Sequence, residues 1–267
     1  MTAAAHTRPR LTFRGVIAGE WTKFWSLRSS WITLGVSLLL LAAFGVIAAL
    51  TYSPGLVQGP PGTAVSTSAV AVALTGSTFA SLAIGVLGVL VAAGEYSTGL
   101  IRATIAAVPA RLPVIAAKTL VFGAIAFLVT AVGAIVAFVA GAPLISTEAI
   151  AMGLGDDGVL RSLIGAGLYL ALVGVFGVAL GMLLRSSAGG IAVLVGLLLI
   201  IPGLTRLLPD SWSEQVTPYL PSNAGGAMMT VHQADGALSA GAGLAVFAGW
   251  VAVALVAAAY RLVKTDV

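Results

Sequence analysis

Few residues in this chain have side chains that do chemistry. It holds two histidines, three lysines and no cysteine. A thiolate nucleophile, a thiolate metal site and a disulfide framework are therefore excluded. His6 lies in the N-terminal tail and His232 in an expected loop, so neither forms a Ser–His pair within an apolar run. There is no His-Glu-x-x-His and no paired acidic motif, and the histidines read as surface residues with no metal between them. The lysines are Lys23, Lys118 and Lys264. A phosphate-cradling loop needs Gly-x-x-x-x-Gly-Lys-Ser/Thr, so that backbone N–H groups and the lysine surround the phosphates. Lys118-Thr119 supplies the final pair, but Ala117 stands where the second glycine must be, in a helical context. No enzymatic activity is expected, and no cofactor on this chain.

The scarcity of charge explains the scarcity of chemistry. Of 267 residues, 13 are Lys or Arg and 9 are Asp or Glu, so 8% are charged, against about 25% in soluble proteins. The hydrophobic class makes up 59%, and the mean hydropathy is +1.09. A soluble domain of this size could not cover its surface with so few charges. Soluble enzyme, nucleic-acid binder and disordered chain are excluded. The net charge of +4 suits a membrane protein that retains basic residues on its inner side.

The elements follow from where the charges are missing. A spanning helix needs about 20 apolar residues, and lipid forces an open chain to satisfy its backbone as helix. The charge-free gaps accommodate six spans: Trp31–Tyr52, Ala69–Ala93, Thr119–Gly141, Ser162–Leu184, Ala188–Leu208 and Ala237–Tyr260. The expectation is an all-α polytopic membrane protein. Residues 1–30 form a cytoplasmic tail with an amphipathic connector helix, and residues 31–267 the six-span domain. In the fifth span the apolar run stops at Pro202, where the chain must kink or continue as a short re-entrant piece carrying Arg206. The apolar run beginning at Trp31 is too long for a signal peptide, and no internal repeat suggests an inverted-repeat transporter. Pro209, Pro218 and Pro221 permit only short helical pieces before the last span, with Trp212 and Tyr219 at interfacial depth.

With both ends inside, eleven of the thirteen basic residues are inner; only Arg161 and Arg206 are outer. Glu148, Asp156, Asp157, Asp210, Glu214 and Asp235 fall outside, and Glu20, Glu95 and Asp266 inside. This asymmetry predicts cytoplasmic termini. Apart from Arg206, the six spans hold no ionisable residue, which argues against ion-coupled transport but not against a neutral Na⁺ site built from carbonyls.

Two inner segments exceed what a connector needs. On Leu11–Arg28 a broad apolar arc holds Phe13, Val16, Ile17, Trp21, Phe24, Trp25 and Leu27, with Gly15, Gly19 and Thr22 opposite. Arg14 and Lys23 flank it, as in a helix lying in the interface. Glu20 and Arg28 project within the arc, which implies a protein partner or a polar protein surface. The plainer alternative pairs Glu20 with Lys23 at i, i+3. In Gly94–Ala117, Ser97 or Thr98 can cap a short helix. Ile101, Ile105 and Val108 line one face, and Pro109 ends it. Carrying Arg102 and preceded by Glu95, this helix suits another protein's groove, or else packs on lipid headgroups.

The segments GEWTKFWSLRSSWITL, GEYSTGLIRATIAAVPARLPVIAAK and YLPSNAG resemble the permease subunit of ABC-2-type transporters, particularly actinobacterial ones. The resemblance extends over the whole chain in length, span number and order. It implies a connector helix beside a separate ATPase, with Glu20, Trp21, Lys23 and Arg28. It also implies a coupling helix docked in that ATPase, with Glu95, Tyr96, Thr98, Gly99, Ile101, Arg102, Ile105 and Val108. Short re-entrant helices between spans five and six are implied as well, and a minor second contact at Arg185–Ala188. Two ATP-binding subunits, which hold ATP and Mg, and a second permease copy or paralogue would complete the complex. The activity implied is export, or membrane extraction, of a hydrophobic or amphipathic compound across the bacterial inner membrane. A lone channel or secondary transporter, and a non-transporting anchor or immunity protein, are the alternatives. Gly177 and Gly181 have the spacing of close helix packing, within one chain or across a dimer.

Overall fold

Each of the six expected spans contains a long helical segment, and two of them are interrupted. The computed structural model describes residues 12–53, 68–205, 207, 209, 215–233 and 237–264. Among these the chain is all-α, without a strand. Six helical segments are long and apolar enough to cross a membrane: α2 (Arg28–Leu50), α4 (Ser77–Ser97), α6 (Leu112–Gly141), α7 (Val159–Leu184), the composite α8–α9 (Ser187–Val195 and Ile201–Thr205) and α11 (Ala240–Lys264). Four short helices accompany them: α1 (Phe13–Ser26), α3 (Ala69–Ala73), α5 (Leu100–Ala107) and α10 (Pro221–Gly226). The protein is a multi-pass membrane protein. The readings made for His6, Arg206, Asp210, Trp212, Glu214, Asp235 and the loop 54–67 fall outside the described residues.

The helices overrun the apolar stretches at several ends, and two departures have clear causes. The second span is not continuous from Ala69. It breaks at Leu74–Gly76, where the Thr75 hydroxyl donates to the Ala71 and Val72 carbonyls. There Gly76 lies so close to Leu40 and Leu41 of α2 that a Cβ would not fit. In the fifth span the disturbance precedes Pro202 as a π turn, Gly196–Ile200, and the helix then continues to Thr205. Proline has no N–H and its ring crowds the carbonyl four residues back, here Leu198, and the wider π turn relieves both problems.

At the centre stands α7. In its most apolar stretch 78% of residues are buried, against 28% in α2 and α11. Lipid tails are as apolar as leucine, so spanning helices associate by close fit rather than by hydrophobic exclusion. Glycines provide that fit here. A Cβ on Gly88 of α4 would strike the Gly174 carbonyl, and one on Gly177 would strike the Gly85 carbonyl. Gly177 and Gly181 thus pack against α4 of the same chain. On another side, Thr130 of α6 donates to the Gly167 carbonyl at 3.0 Å. On a third, Phe247 of α11 meets Tyr169 and Phe176 at ring separations of 5.7 and 6.3 Å.

The proline-rich stretch before α11 folds, as its composition requires, into short pieces: Thr217–Tyr219, α10 and Ala227–Met229. Ala224, Ala227 and Met228 are buried. Arg161 at the start of α7 holds the end of this stretch by donating to the Thr230 and Val231 carbonyls. Gly177→Val should overpack the α4–α7 seam and cost about 1–3 kcal/mol. Gly249→Ala, where the added methyl meets nothing within 4 Å, should not lower stability. Thermal unfolding of the two variants in detergent checks the contrast.

Candidate functional site

The amphipathic N-terminal segment begins at Thr12, whose hydroxyl accepts from the Gly15 N–H at 3.3 Å. Along α1 the residues turned into the bundle are Val16, Glu20 and Phe24, spaced by four. Phe13, Trp21 and Trp25 stand about half exposed on the outer side, where a membrane interface suits amphipathic rings. The apolar arc is thus split: one edge packs on protein and the aromatic edge faces away. At Leu27 the backbone turns extended and α2 starts, so Arg28 opens α2 instead of projecting from α1. Trp25 and Trp31 lie 4.0 Å apart across this corner, and Phe24 meets Trp31 and Phe122 edge-on.

The second segment also differs in detail from its reading. Ser97 and Thr98 do not cap α5. Their hydroxyls donate back to the Gly94 carbonyl at 3.0 and 2.8 Å and close α4. The cap position belongs to Gly99, in the left-handed conformation with φ of 73°. Pro109 does end the helix, forcing Val108 out of helical geometry. The stripe of Ile101, Ile105 and Val108 is real but faces inward: Ile101 and Val108 are buried and Ile105 half-buried. The outward face presents Thr98, Leu100, Arg102, Ala103, Ala106 and Ala107. An apolar stripe beside an unfilled bundle packs there first.

Glu95 is likewise no surface residue. It is 6% exposed, Glu20 5% and Lys118 3%. These three and Lys23 form one cluster. The Glu20 carboxylate accepts from Lys23 at 2.7 Å and, through its other oxygen, from Lys118 at 2.5 Å. Glu95 Oε1 accepts from Lys118 at 2.8 Å and from Lys23 at 3.0 Å. Lys23 also donates to the Thr104 hydroxyl at 3.1 Å. Four helices, α1, α4, α5 and α6, are joined by two carboxylates and two ammonium groups with no net charge. Among the described residues, Glu95 Oε2 is buried without a partner, so the cluster has one weak corner.

Of the two surroundings expected for Glu20, a protein partner or a polar protein surface, the structure supplies a polar surface: Glu20 meets lysines of its own chain. The i, i+3 pair with Lys23 is present, as half of a larger cluster. The helices that contain the second and third spans do carry ionisable groups. Both α4 and α6 run past the apolar stretches and carry Glu95 and Lys118 within their ends. Lys118 was missed as a site residue. Only part of the signal was in the sequence: Pro113, in the first turn of a helix that starts at Leu112, puts Lys118 inside α6, but the approach of Glu95 to it comes from the fold.

Burial acts to lower the Lys23 pKa, but hydrogen bonding and the charge of Glu20, joined by Glu95, outweigh it and raise it above 10.5. A raised folded value means that Lys23 adds stability that is complete below 10.5 and is lost as pH climbs through the folded value. The cluster therefore keeps its Lys23 charge throughout the neutral range.

Arginines at the same end of the bundle fasten helix ends. Arg111 donates to the Leu262 carbonyl at 2.8 Å, and Arg261 donates to the Leu183 carbonyl. Arg185, left-handed at φ of 55° where α7 ends, donates to the Arg261 carbonyl at 3.4 Å. Its guanidinium lies 5.3 Å from the centre of the Tyr96 ring. Each spends its charge on the negative end of a helix dipole.

No protein-family model matches the chain, and no curated protein matches it significantly. The cluster itself makes a measurable commitment. Lys118→Met leaves two buried carboxylates sharing one ammonium and should cost about 3–5 kcal/mol. Adding Glu95→Gln, which restores neutrality, should recover part of the loss. Unfolding midpoints of the single and double variants decide this.

Proposed function

We propose that this chain is the permease subunit of an ATP-driven ABC exporter of the ABC-2 type. A separate ATPase subunit binds ATP and Mg and hydrolyses ATP; this chain catalyses nothing. Two ATPases and a second permease, a copy or a paralogue, complete the assembly in the bacterial plasma membrane. The end bearing the charge cluster faces the cytoplasm, and the cargo is a hydrophobic or amphipathic compound.

The observation that carries this reading is the way the cluster mounts α5. A short helix fastened to α1, α4 and α6 through Lys23 and Thr104 moves only with the spans that hold it. Force applied to its outward face is therefore delivered to two spanning helices at once, as a transmission element requires. The docking face is Thr98, Leu100, Arg102, Ala103 and Ala106, while Glu95, Ile101 and Val108 serve as its inner mounting. The segment resemblance supports the same reading. Lys and Arg on the clustered end match the retention of basic residues on the cytoplasmic side.

Arg102→Glu combined with Ala106→Glu alters only exposed positions. It should leave the purified chain as stable as the wild type and reduce a co-purifying ATPase at least about tenfold, the scale for an interface centre. Purified chain that moves substrate down a gradient without any ATPase would instead favour a channel. Single cysteines at Ala110 and Gly155, placed in this cysteine-free chain, should label from opposite sides of sealed vesicles, Ala110 from the cytoplasmic side. Labelling from one side overturns the topology.

A further inference from the structure

We propose that the groove between α11 and the end of α7 is a binding site for an anionic phospholipid. The groove, about 790 Å³, is lined by Leu183 of α7 and by one face of α11. On α11 the lining residues include Ala252, Val253, Val256, Ala257, Tyr260 and Lys264, the three- and four-residue steps of a single helix face. From Ala252 to Lys264 this face runs ~18 Å along the helix axis, close to the ~15 Å of one leaflet in a ~30 Å core. The lining is apolar as far as Tyr260 and basic at its end, where Arg261 and Lys264 stand. Val253 and Val256 are each 69% exposed, so no protein element covers them among the described residues.

The basic end decides the headgroup. Arg261 already donates to the Leu183 carbonyl. Lys264 lies 5.5 Å from the centre of the Tyr260 ring, a face contact that leaves its three N–H donors for an acceptor. A helix C-terminus ordinarily repels anions. Here the carbonyls of Arg261, Leu262 and Val263 accept from Arg185 and Arg111, which blunts that repulsion. No acidic side chain lines the groove among the described residues. A phosphate therefore meets attraction alone, whereas the cation of a zwitterionic headgroup finds no partner. The apolar stretch decides the rest of the ligand. Ala252 and Ala257 carry one side-chain carbon each and leave room for an acyl chain, held by dispersion. A second copy of the chain suits the groove less well. Two copies inserted alike would bring Arg261 and Lys264 of both to one level, with like charges facing and no acid between them. The groove shares no residue with the face proposed for ATPase docking.

The test uses the full chain purified in detergent and offered phosphatidylglycerol and phosphatidylcholine of equal chain length. Native mass spectrometry measures the lipid retained and reads the oligomeric state in the same spectrum. The wild type should retain phosphatidylglycerol in preference to phosphatidylcholine. Lys264→Gln should weaken that preference about fivefold, the scale of one basic residue beside an anionic surface, and Lys264→Arg should keep it. Arg14→Gln removes one charge at another exposed position and should leave the preference unchanged. Ala252→Phe, also at an exposed position, fills the groove. It should lower phosphatidylglycerol retention without lowering the melting temperature of the lipid-free chain. The proposal is overturned if both lipids are retained alike, or if Arg14→Gln weakens the preference as much as Lys264→Gln. It is equally overturned if Ala252→Phe retains phosphatidylglycerol as the wild type does. Dissociation of a dimer by Ala252→Phe with retention intact would assign the groove to a second copy.

Discussion

A charge removed from water beside a membrane must find its opposite, and this constraint organises one end of the molecule. Lys118 alone on α6 would be intolerable at 3% exposure, and so would Glu20 or Glu95. Together with Lys23 they are neutral, and the neutral unit exists only when α1, α4 and α6 are seated at once. Replacing the set by well-packed apolar residues could yield equal or greater stability. What the charges contribute is position: α1 cannot slide along the bundle without separating an ion pair in a low-dielectric setting, nor α5 tilt without breaking the Lys23–Thr104 hydrogen bond.

The rest of the bundle uses the opposite means. Along α4 and α7 the contact is made by backbone against backbone, with Gly85 and Gly88 facing Gly174 and Gly177. Dispersion and shape do there what charge does at the end. The two devices are complementary in tolerance. The glycine seam is unforgiving of added volume, whereas the cluster is unforgiving of lost charge. Held by both devices, α4 has little freedom, so movement within the molecule is more naturally sought at the lightly buried α8–α9 segment with its π turn.

Much of this was legible from the chain alone, and the reasons are instructive. Six spans and their order followed from charge-free runs, because lipid enforces helix wherever charge is absent. The short pieces after Pro218 followed from proline chemistry. The faces of α1 and α5 were legible as stripes but not as directions. Ile101 and Trp21 both read as apolar, yet one packs on the bundle and the other faces away, since periodicity does not record what lies opposite. The cluster escaped for a similar reason: Glu20, Glu95 and Lys118 are separated by 75 and 23 positions, and only the fold places them together. Breaks such as Leu74–Gly76 depend on the approach of α2, which no local pattern encodes.

The arginines that fasten helix ends carry a further implication. Arg111, Arg185 and Arg261 belong to the basic set whose asymmetry directs a membrane chain during insertion, and each also closes a finished helix terminus. One residue is thus read twice, first as an address and then as a fastening. Such double reading narrows the evolutionary exits open to these positions. A lysine satisfies the address but lacks the planar fork, and a glutamine can reach a carbonyl but erases the address.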